Sequence, residues 1–327
     1  MSKKALICGS IAFDTIMVFG DRFRNHILPD KIHMLNVSFL VPQMRREFGG
    51  CAGNIAYNLK LLGDVGYPMA TVGRDFGMYA DWMKKTGVPT DYVKLIESEH
   101  TAQAFITTDV DNNQITAFHP GAMQQSHQNK VADAKAKEKA KENEVAIGIV
   151  APDGRDGMIQ HADGFADAGI PFIFDPGQGL PLFDGKDLKR FVSQAAWVAV
   201  NDYEWQLIQQ KTGWTESDVT QMVEALIVTR GADGSVIHTK GGPINIPCAQ
   251  PKAVVDPTGC GDAYRAGLLH GLLHGLDWPT TGRIASLMGA IKIESLGTQN
   301  HSFSAAEFKQ RLAAAFPATS AAAPAGK

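Results

Sequence analysis

The chain has 327 residues, of which 44% are hydrophobic and 20% charged, the make-up of an ordinary globular protein long enough for a substantial core. Thirty-one lysines and arginines against 34 acids leave a formal charge of −3, which provides no basic field for a nucleic-acid polymer or an anionic membrane. Thirty-three glycines, about one residue in ten, exceed the roughly 7% average without any G-X-Y period, so backbone turns and close ligand approach are expected.

Cys8, Cys51, Cys248 and Cys260 show no CxxC spacing, so reduced thiols are the default and neither a disulfide framework nor a cysteine zinc site is indicated. The apolar run of the N-terminus is broken by Gly9 and Ser10 and reaches Asp14, too short for a signal peptide. No stretch approaches about 18 uninterrupted apolar residues. A soluble, cytoplasmic protein is expected.

Lys4 to Gly9 reads as a buried strand ending in glycine, a common start for an α/β fold. The stretch to about Pro42 carries few helix signals, and Thr101 to Phe118 reads as a hairpin around Asp111-Asn112-Asn113. Together these predict a separate small β element from about 15–42 and 100–119. Helical spacing over Gly53 to Leu62 is followed by a strand at Pro68 to Val72. Lys130 to Glu144, rich in Ala, Lys and Glu, predicts a helix with a solvated face. Strand-like runs at Val145 to Ala151, Ile170 to Asp175, Trp197 to Asn201, Ala225 to Thr229 and Gly234 to His238 alternate with helical patterns. That alternation predicts a mostly parallel sheet with helices on both faces, a three-layer α/β/α sandwich. Asp262 to Leu276 and Arg283 to Ser295 read as apolar helices. One domain is expected over 1–312, and the small-residue-rich 313–327 as a frayed or disordered tail.

The strongest local motif is Asp256-Pro257-Thr258-Gly259-Cys260-Gly261-Asp262-Ala263-Tyr264 before an apolar helix. Two glycines permit a tight turn whose amides point at an incoming anion, and the helix that starts there adds its positive end. Asp262 is then placed to take a proton from a hydroxyl; the plainer alternative makes it an N-cap. Tyr264 stands where the dinucleotide fingerprint needs a third glycine, and no P-loop sequence occurs.

Gly49-Gly50-Cys51-Ala52-Gly53-Asn54 precedes another helix. Its glycines and Asn54 suit a polyol, a plain glycine-rich helix start remains open, and Cys51 in this setting also resembles the nucleophile of a thiol hydrolase. Asp14, beyond the first strand, suits vicinal hydroxyls or a simple turn. Asn201 and Glu204 at a strand end suit magnesium through water or a helix cap. Thr229, Gly231 and Gly234 join two strands. His270 and His274 lie one helical turn apart without the glutamate of H-E-x-x-H, which makes them core or surface histidines.

Taken together, GGCAGNIAYNLKLLG (49–63) and DPTGCGDAYRAG (256–267), with Val72-Gly73-Arg74-Asp75-Phe76-Gly77, Asn201 to Glu204 and Thr229, Gly231 and Gly234, resemble the ribokinase/PfkB family of carbohydrate and nucleoside kinases. The resemblance implies ATP-dependent phosphorylation of a hydroxymethyl group. It makes Asp262 the general base and the amides of Gly259, Cys260 and Gly261 the anion hole. It gives Ser10, Asp14, Gly50 and Asn54 to the sugar, Asn201, Thr229, Gly231 and Gly234 to ATP, and Glu204 to magnesium through water. It also implies K+ near Asp256, Thr258 and the Glu294 to Gly297 loop, a β lid, and a monomer or a homodimer formed through that lid.

Within the family, VSFLVPQMRREFGGCAGNIAYNL, DPGQGLP (175–181) and IESLGTQNHSF (293–303) are most similar to bacterial adenosine or broad nucleoside kinases. That similarity implies a base held between Phe105 and Phe118, with Gln178 approaching it. The expected reaction moves the γ-phosphoryl of ATP to the 5′-hydroxyl of a nucleoside. A ribose or other sugar kinase is the alternative within the family, and a non-catalytic ligand sensor the alternative outside enzymes.

Overall fold

Strand β1 (Ser2–Cys8) sends Ala5 and Ile7 into one buried cluster and Leu6 and Cys8 into another. A strand apolar on both faces requires cover on both faces, and the chain supplies it with helices. The computed structural model describes residues 2–27, 33–34, 36–111 and 113–317. In chain order the elements after β1 are β2 (Ala12–Val18), β3 (Gln43–Gly49), α1 (Cys51–Leu61), β4 (Gly66–Gly73), α2 (Gly77–Thr86) and β5 (Tyr92–Ile96). Next come β6 (Ala102–Thr108), β7 (Gln114–His119), α3 (Val131–Ala140), β8 (Asn143–Val150), α4 (Arg155–Ala168) and β9 (Phe172–Phe174). Then follow α5 (Gly185–Gln194), β10 (Trp197–Asn201), α6 (Asp202–Thr212), α7 (Glu216–Met222), β11 (Ala225–Thr229), β12 (Ser235–Thr239) and β13 (Gly242–Ile246). The described chain closes with α8 (Cys260–Leu273), α9 (Trp278–Lys292) and α10 (Ala305–Ala315).

The large sheet has the order β13-β12-β11-β10-β9-β8-β1-β4-β5. Its strands are parallel from β5 to β11, and β12 and β13 add an antiparallel edge. This is the mostly parallel sheet, covered on both faces, that the sequence predicts. β1 pairs with β4 on one side and β8 on the other, so the strand order reverses there and the sheet offers a crevice at the C-terminal end of β1.

The small sheet, β3-β2-β6-β7, begins three residues beyond β1. Its strands bear out the separate β element, with different bounds: β2 starts at Ala12, and β3 lies past residue 42. Residues 28–32 and 35 of the expected 15–42 segment, and Asn112 of the expected turn, lie outside the described residues. Asp75, just after β4, accepts from the Thr101 amide (2.7 Å) and from Gln103 Nε2 (3.0 Å), which fastens the start of β6 to the large sheet.

The Ala/Lys/Glu-rich helix forms as α3, yet one of its acids is not solvated. Glu138 is fully buried and accepts from Tyr92 Oη (2.6 Å), Lys141 Nζ (3.1 Å) and Asn143 Nδ2 (2.9 Å). These charge-assisted bonds hold its carboxyl below the usual carboxylate range despite burial. At the C-terminus α10 extends helix to Ala315, into the expected tail, and residues 318–327 lie outside the described residues. No helix among the described residues is long and apolar enough to cross a membrane.

Candidate active site

α8 starts at the foot of the crevice. Gly259 caps it with φ +81°, a conformation only glycine adopts freely, and a Cβ there would lie 3.0 Å from Thr298 Cγ2. The amide of Cys260 donates to Pro257 O at 3.2 Å. The expected anion hole is therefore corrected: the free amides of this turn among the described residues are those of Gly259, Gly261 and Asp262, while that of Cys260 is already satisfied.

Asp262, in the first turn of α8, is half-buried, and its carboxyl is raised from 3.8 to about 7. Burial is the main cause, with Asp175 adding to it, while a hydrogen bond from Asn54 and the charge of Arg265 oppose it. Asn54 sits on α1, whose N-cap Gly50 has φ +85°. A Cβ on Gly50 would stand 2.6 Å from Ala12 N and Ser10 O, so the close passage of the β1–β2 connection requires glycine here. Ser10 fastens the same helix start, with Oγ accepting from the Cys51 amide and its carbonyl from Ala52 N.

Asn54 differs from its expected role at a sugar hydroxyl. It is buried, its Nδ2 donates to Asp262 Oδ2 at 2.8 Å, and its Oδ1 accepts from Gln299 Nε2 at 3.0 Å. Gln299 also donates to Tyr79 Oη (2.6 Å) and accepts from Trp82 Nε1 (2.9 Å), and Tyr79 donates to Gly49 O (2.8 Å). With the Gln299 oxygen taken by an indole that can only donate, the orientation of both amides is set. Asn54 is thereby forced to present its NH2 to Asp262. Sequence reasoning missed Gln299, Tyr79 and Trp82, although Gln299 lay in a segment singled out for its similarity.

On the small sheet, Asp14 is half-buried and raised to about 6, first by burial and then by Glu47 and Asp256. Register pairs Asp14 with Glu47 and Ala104, and Ala104 with Phe118. Paired residues share a face and successive ones alternate, so Phe118 lies on the face of Asp14 and Phe105, paired with Ala117, on the opposite one. The expected sandwich of a base between Phe105 and Phe118 is therefore corrected: one sheet cannot offer both rings to one ligand. Gln178 is exposed, on a short 3-10 turn after β9.

Asn201 and Glu204 form a capping box at the start of α6: Asn201 Oδ1 accepts from the Glu204 amide (2.7 Å), and Glu204 Oε2 from the Asn201 amide (2.8 Å). The cap alternative is thus realised for Asn201. Glu204 Oε1 keeps no protein partner among the described residues, and burial with nearby Asp175 raises its carboxyl above the usual value. A hard oxygen left free in this way fits a magnesium ion held through water. Thr229 Oγ1 donates to Val200 O (3.3 Å) at the end of β11, and Gly231 and Gly234 flank the short turn into β12. Behind both groups lies an ion pair absent from the sequence reading. Arg265 Nε and Nη2 donate to Asp175 Oδ2 (3.1 Å) and Oδ1 (3.0 Å), and Nη2 also reaches Ala199 O (3.2 Å).

Around Asp256, the carboxylate accepts from the Thr258 and Gly297 amides, each at 2.9 Å, and burial-opposing bonds of this kind hold it below the usual range. Lys292, fully buried at the end of α9, donates to Asp256 O (2.7 Å) and Ser295 O (3.2 Å).

The thiol-hydrolase alternative finds no support in the geometry. Burial together with Asp262 and Asp175 pushes the Cys51 thiol well above its ordinary value, the reverse of an activated nucleophile. His270 Nδ1 and His274 Nε2 lie 2.6 and 2.9 Å from the Asp64 carboxylate, and the three side chains bring their ligand atoms within 4.8 Å of one another, close enough to share an ion.

The family model for "pfkB family carbohydrate kinase" matches residues 14–305. A nucleoside kinase of Methanocaldococcus jannaschii is 32% identical over 268 residues, covering 81% of this chain and 85% of that protein. The crystal structure of that archaeal ribokinase-family member superposes with a TM-score of 0.82, covering 95% of this chain and 98% of the other. The nucleoside kinase of Burkholderia thailandensis in complex with inosine is 53% identical, with a TM-score of 0.85 over 95% of this chain and 98% of that one. Its complex with ADP-inosine is 54% identical, with a TM-score of 0.83 and 95% and 96% coverage. The family match spans both 49–63 and 256–267, and the chain belongs to the pfkB family of carbohydrate kinases, enzymes that transfer a phosphoryl group.

Proposed function

We propose that the protein transfers the γ-phosphoryl of ATP to the 5′-hydroxyl of a nucleoside, with purine nucleosides such as inosine and adenosine among its substrates. The observation that carries the reading is one carboxyl, Asp262, raised to about 7 at a helix start with free amides, together with a small-sheet face that bears Asp14 and Phe118. The Burkholderia relative, over half identical, has been solved with inosine and with ADP-inosine.

Asp14 accepts from the vicinal ribose hydroxyls, and Phe118 covers one face of the base. Gln178, exposed beside the crevice, approaches its edge. The main chain at Ser10 and Gly50 shapes the sugar side. Asp262 takes the 5′-hydroxyl proton as that oxygen bonds to the γ-phosphorus and the bond to the ADP oxygen breaks. The amides of Gly259 and Gly261, with that of Asp262 itself, donate to the phosphoryl oxygens as charge moves across them, and the α8 terminus adds its positive end. Asn201, Thr229, Gly231 and Gly234 line the ATP side. Magnesium held through water by Glu204 supplies charge neutralisation on the phosphates. The small sheet closes as a lid and excludes water.

A panel of inosine, adenosine, guanosine, cytidine, ribose and fructose 6-phosphate, each with ATP and magnesium and followed by ADP release, tests the substrate. Preference for free ribose refutes the nucleoside reading. Asp262→Asn should lose turnover by three orders of magnitude or more while binding nucleoside about as well as the parent, and near-normal turnover would exclude it as the base.

A further inference from the structure

Lysine is among the residues least often fully buried, and an ammonium taken out of water needs oxygens around it. Lys292 is fully buried, and its Nζ sits between two main-chain carbonyls, Asp256 O at 2.7 Å and Ser295 O at 3.2 Å. Those carbonyls belong to the two segments that build the catalytic end of the molecule. Residues 256–258 run straight into the Gly259–Asp262 turn, and Asp256 Oδ1 bonds the Thr258 amide within that run. Residues 295–299 carry Gly297, whose amide donates to Asp256 Oδ2, then Thr298, whose side chain packs on Gly259, then Gln299, which orients Asn54. One cation therefore ties together the segment that forms the anion hole and the segment that aims the base.

The resemblance to the family places K+ at this same loop pair. The donor set here does not fit it. The carbonyls of Asp256 and Ser295 already face an ammonium, Asp256 has both side-chain oxygens committed to amides, and two like charges sharing one cradle exclude each other. We propose that Lys292 is a built-in replacement for a monovalent cation: a positioning residue whose ammonium fixes the Asp256–Asp262 turn against the 295–299 loop and frees the enzyme from K+. The inference rests on the kinase assignment and is indifferent to which hydroxyl accepts the phosphoryl.

The test uses the full chain, ATP as its Tris salt, and KCl against tetramethylammonium chloride at equal ionic strength. The parent should turn over within about 1.5-fold of the same rate in both salts, and its thermal midpoint should not respond to K+. Lys292→Ala, which removes the ammonium and opens its space, should lose at least tenfold in kcat without K+. It should recover severalfold with K+ or NH4+, and its thermal midpoint should rise on adding either ion. Lys292→Met, which fills the space without charge, should lose activity and gain no response, so a packing effect is separated from a charge effect. Severalfold activation of the parent by K+ overturns the proposal, as does full kcat of Lys292→Ala in the K+-free salt, or a folded Lys292→Ala that no small cation restores. If Lys292→Ala does not fold, the parent's response to K+ decides alone. The melting arm needs no substrate, so a wrong acceptor cannot be mistaken for a wrong cation.

Discussion

Replacing Asn54 by alanine should shift the activity proposed for Asp262 toward alkaline pH. The Asn54 amide donates to Asp262 Oδ2 at 2.8 Å and favours the ionised carboxylate, whose pKa burial has already lifted to about 7. A hydrogen bond to a charged group is worth about 1.5–3 kcal/mol, and 1.36 kcal/mol is one pH unit, so its loss should move the acid limb of kcat/KM up by about 1–2 units. At pH 7 the ionised fraction would fall from about a half to about 1–10%, a loss of about 5- to 50-fold that returns as the pH rises past 9. The sign follows from the role: a base must be unprotonated, so raising its pKa removes activity on the acid side only. The assay is kcat/KM for nucleoside from pH 5.5 to 9.5 by ADP release, with Gln299→Leu as a second variant that frees Asn54 to turn. An activity loss equal at every pH would refute the reasoning, because it would mean Asn54 acts on the substrate and not on Asp262.

Phe118→Ala should weaken nucleoside binding by roughly 5- to 150-fold, the worth of about 1–3 kcal/mol per stacked base, whereas Phe105→Ala on the opposite face should change it less than about twofold. Calorimetry separates the two, and equal losses would contradict the register argument. Arg265→Met leaves Asp175 buried and unpaired and should cost about 3–5 kcal/mol in urea unfolding, much of it regained in Arg265→Met/Asp175→Leu; an additive double variant would count against the pair. Asp153 is buried with Oδ2 lacking a partner among the described residues, and its carboxyl is raised to about 8 by that burial. The folded state thus holds a proton that the unfolded state releases near pH 4, so this group's contribution falls as pH rises from about 4 to about 8. Asp153→Asn should gain on the parent across that window in thermal melts and level off above it; a gain that grows toward acid pH would reverse the sign.

The fold was legible because strand and helix periods are local properties. Trp197–Asn201 and Ala225–Thr229 read from the sequence as strands with the bounds the structure gives them. The turn at Gly259 was legible too, since only glycines with a following apolar helix make that geometry. The Phe105 and Phe118 pairing failed for a reason the residues do not carry. Whether two hairpin residues share a face depends on the parity of the pairing, and a turn one residue longer or shorter would have put them opposite each other. Cys260 entered the anion hole through the family resemblance, while its bond to Pro257 O depends on this particular turn. Gln299 and Lys292 stayed hidden for a different reason. Each acts across more than 30 residues of sequence, on Asn54 and on Asp256, and such a partner is written in the packing rather than in any period.

The wiring of Trp82, Gln299, Asn54 and Asp262 also limits where a proton can go. Every link runs one way: the indole donates to Gln299, Gln299 to Asn54, and Asn54 to the carboxylate. An amide nitrogen cannot accept, so this chain of side chains offers no route by which a proton could leave Asp262. If Asp262 acts as the proposed base, the proton it gains leaves by the open side of the crevice and not along this chain. Under the proposed mechanism the carboxylate is reset only when solvent reaches the crevice, so its recovery would follow the departure of product.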